Sequence, residues 1–251
     1  MIKAARHDRI LSELARRGAI SVNELAALLG TSSATIRRDI VELDFLGTLL
    51  RTHGGAALRD RHQEVPYDAK IMAYLPEKRR IGAYAATRIK PGITVGCGGG
   101  TTVMQMIASI KRLQLHIVTT AINVALELRD APDISVMVTG GLMRARTAEV
   151  VGHVCERTLR DINLDLAIIG ADGVHPDLGF TTYDGEEAYT NRVLIERARE
   201  VWVVSDHSKL GKVRPAVIQE IGIASLLITD NGATPEQVDA IRQKGTEVVC
   251  V

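Results

Sequence analysis

Residues 30–43 read GTSSATIRRDIVEL. Ile36, Ile40 and Leu43 recur at the spacing of one helical face, and small hydroxyl residues precede them. Ser32 is expected to cap this helix, its oxygen accepting from an amide that the first turn leaves without an intrahelical acceptor. With the three aliphatic residues turned inward, Ala34, Arg37, Arg38 and Val41 turn outward, and Ser33 and Thr35 fall on the first turn. That is the part of a recognition helix that meets base edges in a major groove. An arginine fork can donate twice to guanine or clamp a phosphate. Asp39 is expected to restrain a neighbouring side chain.

Upstream, residues 7–47 show helical periodicity only. Ile10, Leu11 and Leu14 share a face of a first helix; Val22, Leu25, Leu28 and Leu29 share a face of a second. Ser21 with Glu24 three positions on spells a capping box. Gly30 ends the second helix, where a left-handed backbone favours glycine. The order is helix, tight turn, helix. Downstream, GTLLRTHGGAALR (47–59) carries a Gly54-Gly55 turn signal between two short extended runs, with Arg51 and His53 on one face. A β-ribbon there is a wing, reaching backbone or minor groove. A surface helical hairpin with solvated arginines is the competing reading. The combined pattern favours double-stranded DNA.

The remaining chain has a different rhythm. Residues 59–76 lack periodicity, are broken by Pro66 and Pro76, and read as a linker between a domain at 1–58 and one at 77–251. From 77 onward, apolar runs alternate with helical stretches: ITVGC (93–97), LHIVTT (115–120), ISVMVTG (134–140), LDLAIIG (164–170), EVWVVSD (200–206), ASLLITD (224–230) and TEVVCV (246–251). Helices are expected at 101–112, 121–130, 185–199 and 234–244. Such alternation argues an α/β domain with a mostly parallel sheet. The full reading is thus a multidomain chain, an all-α winged helix-turn-helix followed by that α/β domain.

Bulk properties narrow the classes. Among 251 residues, 31 basic and 30 acidic side chains leave a net charge of +1, so no global field demands a partner. Cys97, Cys155 and Cys250 are odd in number and far apart, as in a reduced compartment rather than a disulfide framework. No leader and no membrane span is read, and the expected compartment is the cytoplasm. His153 with Cys155, and Asp206 with His207, do not make a zinc set, so neither metal nor cofactor is expected.

The second domain carries ligand chemistry. In GCGGGTTVMQM (96–106) a strand ends, Gly98, Gly99 and Gly100 follow, and a helix opens at Thr101 and Thr102. Bare backbone amides, a helix N-terminus and hydroxyls suit an anion such as phosphate; a purely structural turn is the alternative. Further glycine and hydroxyl clusters sit at strand ends: VTTAIN (118–123, with Thr119 and Thr120), TGG (139–141, with Gly140 and Gly141), GADG (170–173, with Asp172), GFTT (179–182, with Thr181 and Thr182) and SDHSKLG (205–211, with Lys209). Ligands gather outside those ends in open parallel sheets. Lys209 is either a point charge for an anion or an ordinary surface lysine. Arg144 and Arg146 either face the ligand or another subunit or, the favoured reading, lie in a solvated loop; Met104 and Met106 read as core filling.

RHDRILSELARRGAISVNELAALLGTSSATIRRDIVEL and the following GTLLRTHGGA resemble the DeoR-type bacterial transcriptional regulators, TIRRD and HGGA most specifically. The resemblance runs to Val251. It implies a second domain similar in fold to ribose-phosphate isomerases, sensing a phosphorylated sugar or close metabolite. It matches Gly100, Thr101 and Thr102 to a phosphate loop, and places Gly140, Gly141, Gly170 through Gly173, Thr181 and Thr182 around the effector. Glu187, Ala188, Asn191 and Arg192 match a further helix; Asp206, Ser208 and Lys209 match a further segment. Gly98 stands where the family has an Asp, Thr120 where it has Asn, and Asn191 where it commonly has Lys. The missing Asp would orient a sugar hydroxyl, so a different effector, or fewer polar contacts, is expected. The resemblance also implies a homo-oligomer and a repressor acting on operator DNA. The contrasting reading is a sugar-phosphate isomerase or deaminase with a fused DNA-binding head, with Glu187 or Asp206 as base.

Overall fold

The computed structural model describes residues 2–45, 48–58, 64 and 67–251. It divides into two compact units, Met1–Ala73 and Tyr74–Val251. The first runs α1 (Lys3–Arg17), β1 (Ala19–Ser21), α2 (Val22–Leu29), α3 (Ser33–Phe45), β2 (Leu49–Thr52), β3 (Gly55–Leu58) and α4 (Tyr67–Met72).

Its core is Ile10 and Leu14 from α1, Val22, Leu25 and Ala26 from α2, Ile36, Ile40 and Leu43 from α3, with Ile20, Leu49 and Ala56 from the strands. Each fully buried aliphatic side chain contributes about 1.5–3 kcal/mol. The capping box at α2 is complete: Ser21 N–H donates to Glu24 Oε2 at 3.0 Å and Glu24 N–H to Ser21 Oγ at 3.2 Å. Gly30 is left-handed, at φ 60° and ψ 40°. Ser32 caps α3, accepting from Thr35 N–H at 3.1 Å.

Four expectations need correction. Within the segment read as having helical periodicity only, residues 19–21 form a strand, because β1 completes a sheet of order β1-β3-β2. Leu28 is exposed; the inward face of α2 follows 22, 25, 26 and 29. The hairpin turn is His53–Gly54, since Thr52 pairs with Gly55. Gly55 lies inside β3 because a Cβ there would overlap the Ile20 carbonyl oxygen of β1. In the expected linker, residues 59–63, 65 and Pro66 lie outside the described residues, and α4 follows. Pro76 starts a helix instead of breaking one, since the first turn does not need its missing N–H.

The second unit continues with α5 (Leu75–Arg88), β4 (Thr94–Cys97), α6 (Thr101–Ser109), β5 (Leu115–Thr119), α7 (Ile122–Leu128), β6 (Ile134–Val138), β7 (Leu142–Arg144), β8 (Glu149–Val151), α8 (His153–Arg160), β9 (Leu164–Ile169), β10 (Gly173–His175), β11 (Gly179–Thr182), α9 (Gly185–Glu196), β12 (Ala198–Val204), β13 (Ala216–Gln219), β14 (Leu226–Thr229), α10 (Pro235–Arg242) and β15 (Glu247–Cys250). The seven apolar runs form one sheet, order β15-β14-β12-β9-β4-β5-β6, with every pairing parallel.

Both faces of this sheet are covered. Leu166, Ile168, Trp202, Val204, Leu226 and Ile228 pack with α5, α6 and α7. Their strand neighbours Ala167, Ile169, Val201, Val203 and Leu227 pack with α8, α9 and α10. This period-two alternation between two apolar layers makes the strands read as unbroken runs. From β4 the chain proceeds outward through β5 and β6; from β9 it proceeds the other way through β12, β14 and β15. The strand order therefore reverses between β4 and β9, opening a crevice at their carboxyl ends. The hairpin β7-β8 and the small sheet β10-β11-β13 are additions to this frame.

Candidate functional site

In the first unit, Ala34, Arg37, Arg38 and Val41 form an exposed stripe along α3. Asp39 lies on the opposite, buried face among Ile36, Ile40 and Leu43. Its carboxylate accepts from Arg6 Nε at 2.5 Å and Arg6 Nη2 at 3.0 Å, and meets His7 Nε2 at 3.2 Å. Burial alone would raise the Asp39 pKa. The hydrogen bonds and charges of Arg6 and His7 more than reverse it, so the group titrates below its ordinary value. TIRRD thus faces two ways: arginines outward to solvent, an aspartate inward to lock α3 onto α1.

Between α3 and the hairpin lies a groove of about 700 Å³, lined by Arg37, Val41, Asp44, Arg51, Thr52 and His53 among others. Arg51 and His53 are exposed, and Arg51 N–H is held by Asp44 Oδ1 at 3.2 Å. The hydroxyls of Ser33 and Thr35 are engaged locally, with Asn23 Oδ1 at 3.3 Å and Ser32 Oγ at 2.9 Å. The guanidinium groups therefore dominate this surface. Two cations on a helix and a basic ribbon beside it suit a duplex backbone and base edges.

In the second unit, Gly98–Gly100 leave β4 at the switch point and deliver the chain to α6, with Gly100 at φ 104°. Thr101 and Thr102 are buried in its first turn. Gly170, leaving β9, lies across the crevice; a Cβ there would be 3.7 Å from Gly99 O. Thr119 is fully buried, its hydroxyl donating to Cys97 O at 2.9 Å and accepting from Ala121 N–H at 3.0 Å. Thr120 is buried beside it. Gly140 and Gly141 follow β6, packing near Val154 and Cys155.

Charged groups converge on the crevice. Glu187, at the start of α9, accepts from Thr182 Oγ1 at 2.6 Å and is in direct contact with Arg144, which also reaches Asp184 at 3.4 Å. Burial pushes the Glu187 carboxyl up to about 8, helped by the charges of Glu149 and Asp172, while Thr182 and Arg144 pull it down. Lys209 is 3.5 Å from Asp172. Lys212 is lowered by burial and by Lys209 and Arg214, which marks a cationic corner. Burial holds the Cys97 thiol at about 12, so it stays protonated.

Two of the expected residues also make bonds that brace the fold. Arg192 donates to Val217 O at 2.8 Å and Ile218 O at 3.1 Å, bracing α9 to β13. The Thr181 hydroxyl bonds Gly173 O at 3.3 Å and Arg214 N–H at 2.9 Å. The solvated reading favoured for Arg144 is corrected: it is ion-paired and largely buried. Sequence reading missed Glu149, Lys212, Arg214 and Lys78, whose buried ammonium is 4.0 Å from Asp206. A charge embedded in an apolar run, as in AEVV (148–151), was the one available signal. No helix among the described residues is long and apolar enough to cross a membrane, and no described His, Cys, Asp and Glu residues cluster to hold a metal ion.

Two family models match the chain: the DeoR-like helix-turn-helix domain over residues 6–62 and the DeoR C terminal sensor domain over residues 74–231. Similar chains include the HTH-type transcriptional regulator GlpR of Haloferax volcanii, 34% identical, covering 99% of this chain and 98% of that one. The glycerol-3-phosphate regulon repressor of Escherichia coli is 32% identical over 92% of both chains. The HTH-type transcriptional repressor GlcR of Bacillus subtilis is 30% identical, covering 99% and 96%. Among solved structures, ribose 5-phosphate isomerase A of Methanocaldococcus jannaschii aligns at TM-score 0.41 and 18% identity, over 59% of this chain and 56% of that one, too distant to speak to function.

Proposed function

The chain belongs to the DeoR family of DNA-binding transcriptional regulators, and from that premise we propose that it represses a carbohydrate catabolic operon and is released by a phosphorylated sugar or related metabolite. The observation that carries this is the pairing, in one chain, of an outward arginine stripe on α3 with a glycine loop opening α6 at the switch point of a parallel sheet. The first suits a duplex; the second suits a phosphate ester. Relatives named as a glycerol-3-phosphate regulon repressor and an aga operon transcriptional repressor support the same direction.

One helix-turn-helix makes too few base contacts for useful discrimination, so the acting species is at least a dimer. The uncovered edge strand β6, with Met137, Val138, Leu142, Met143 and Val154 exposed around it, supports self-association. The second unit is a sensor and not an enzyme in this reading. Glu187 is held by Arg144 and Thr182, and Asp206 by the Ser208 amide with Lys78 nearby, and a fold shared with enzymes does not by itself imply turnover.

Coupling runs through the short turn His207–Lys209. Lys209 ends at Asp172 in the effector site. His207, on the same turn, is held by Asp230 Oδ2 at 2.7 Å and meets the ring of Tyr74 edge-on at 5.0 Å. Tyr74 is the first residue of the second unit and has φ 55°, a costly conformation for an aromatic residue. An effector that takes Lys209 from Asp172 moves the turn, and with it the support of a strained residue at the head of α5. Differential affinity of the effector for the two arrangements then shifts DNA binding. His207→Ala is expected to leave effector binding near wild type while raising the concentration needed for DNA release by about tenfold. Release at an unchanged concentration would remove the turn from the mechanism. Titration of effector against labelled operator duplex, with calorimetry for binding, separates the two.

A further inference from the structure

We propose that two copies of the chain join along β6, pairing antiparallel across a two-fold axis at Met137, so that their parallel sheets run on as one. This rests on the reading that the acting species is at least a dimer.

The backbone leaves β6 open. Asp133 O accepts from Leu115 N–H at 3.2 Å, and Thr139 N–H donates to Thr119 O at 3.0 Å, so the odd-numbered residues between them turn N–H and C=O toward β5. Direction alternates along a strand, so the N–H and C=O of Val136 and Val138 turn outward, where no described residue bonds them. The opposite edge of the sheet is closed. In β15 the outward carbonyl of Val248 accepts from Arg242 Nη2 at 2.9 Å, and exposed Glu247 starts the strand. β6 reads ISVMV and pairs with β5 in unbroken register. It carries no charge, proline or bulge of the kind that guards an edge against pairing.

The side chains beside this edge fit a second copy. Met137 and Val138 are exposed, as are Leu142 and Met143 of β7 and Val154 of α8. A cavity of about 400 Å³ opens between Met137 and α8, lined by Val154 and Ile162 with Arg157 and Asp161. Arg157 and Asp161 are opposite in sign, and neither has an ion-pair partner among the described residues. A two-fold axis at Met137, normal to the sheet, brings both α8 helices to one side of the seam, running in opposite directions. There Arg157 of one copy meets Asp161 of the other, and the reverse. An isologous contact has to complement itself in this way. On the strands, Met137 stands opposite Met137 in the closely spaced position, and Val136 of each copy exchanges both backbone bonds with Val138 of the other.

Sedimentation velocity of the full chain over a concentration series tests this, with circular dichroism melting as the folding check. Wild type is expected as a dimer or a larger even assembly. Met137→Lys is expected as the half-size species, its dissociation constant raised about tenfold or more. Arg157→Asp carries the same test if that variant does not fold: it sets carboxylates against each other across the seam and weakens association, and Arg157→Asp with Asp161→Arg restores it. Folded variants that associate as wild type does, or a charge exchange that restores nothing, overturn the β6 seam and leave the dimer reading standing. Wild type that stays a monomer throughout overturns both.

Discussion

Asp39→Ala is expected to loosen the first unit by roughly 1–3 kcal/mol, the cost of removing the buried carboxylate's charge-assisted hydrogen bonds between α3 and α1. The carboxylate is buried on the inner face of α3 and takes both a guanidinium fork from Arg6 and a ring nitrogen from His7. Removing it leaves a guanidinium at the α1–α3 contact. Arg6 keeps partial access to water, so the effect stays below that of a fully enclosed pair. Hydrogen exchange is the measurement: amides of α1, α2 and α3 should exchange about ten- to a hundredfold faster, and those of the parallel sheet at the wild-type rate. The same pair predicts a pH dependence. The folded-state pKa of Asp39 is depressed, so its contribution is fully present above the ordinary carboxyl value near 3.8 and is lost as pH falls through the lower folded value. The acid limb of first-unit stability should flatten in Asp39→Ala; an unchanged limb would place the acid sensitivity elsewhere.

Arg37→Ala with Arg38→Ala should act on DNA and not on folding. Both side chains are exposed, and neither belongs to the buried cluster that holds the three helices. A base-reading arginine is worth about 1–3 kcal/mol, roughly tenfold to a hundredfold per site. A phosphate-contacting one lowers affinity for all sequences and reduces the salt slope by about one. The double variant should lose operator preference, retain the melting profile, and show a shallower dependence on salt. Anisotropy of labelled duplexes across a salt series reads all three. Wild-type operator affinity in the double variant would move the reading surface away from α3.

The sequence foretold these two units unevenly, for physical reasons. The seven strands of the large sheet were legible because each is buried on both faces and reads as an apolar run. The capping box at Ser21 and Glu24 and the left-handed Gly30 were legible because their interactions are local. β1 was not, since three residues become a strand only when β3 arrives from residues 55–58. Leu28 misled because helical spacing defines a stripe but not its rotation. Within the candidate site, the glycine loop and its threonines were legible as a local pattern. Glu149 was not, and Arg144 was only one of two open readings, because their surroundings come from β5 and α9, brought in by tertiary folding. Arg192 matched a motif, yet its guanidinium is spent on β13 carbonyls that no spacing rule points to.

One chain is expected both to select a duplex and to surrender it to a phosphorylated metabolite. The most direct measurement selects duplexes from a random pool with the full chain, then titrates the enriched duplex complex with phosphorylated sugars and polyols and their unphosphorylated parents. Enrichment of two related half-sites about a helical turn, or a multiple of one, apart is expected. Release by a phosphorylated compound and not by its parent is expected with it. No enrichment over the starting pool, or release only by unphosphorylated compounds, would contradict it.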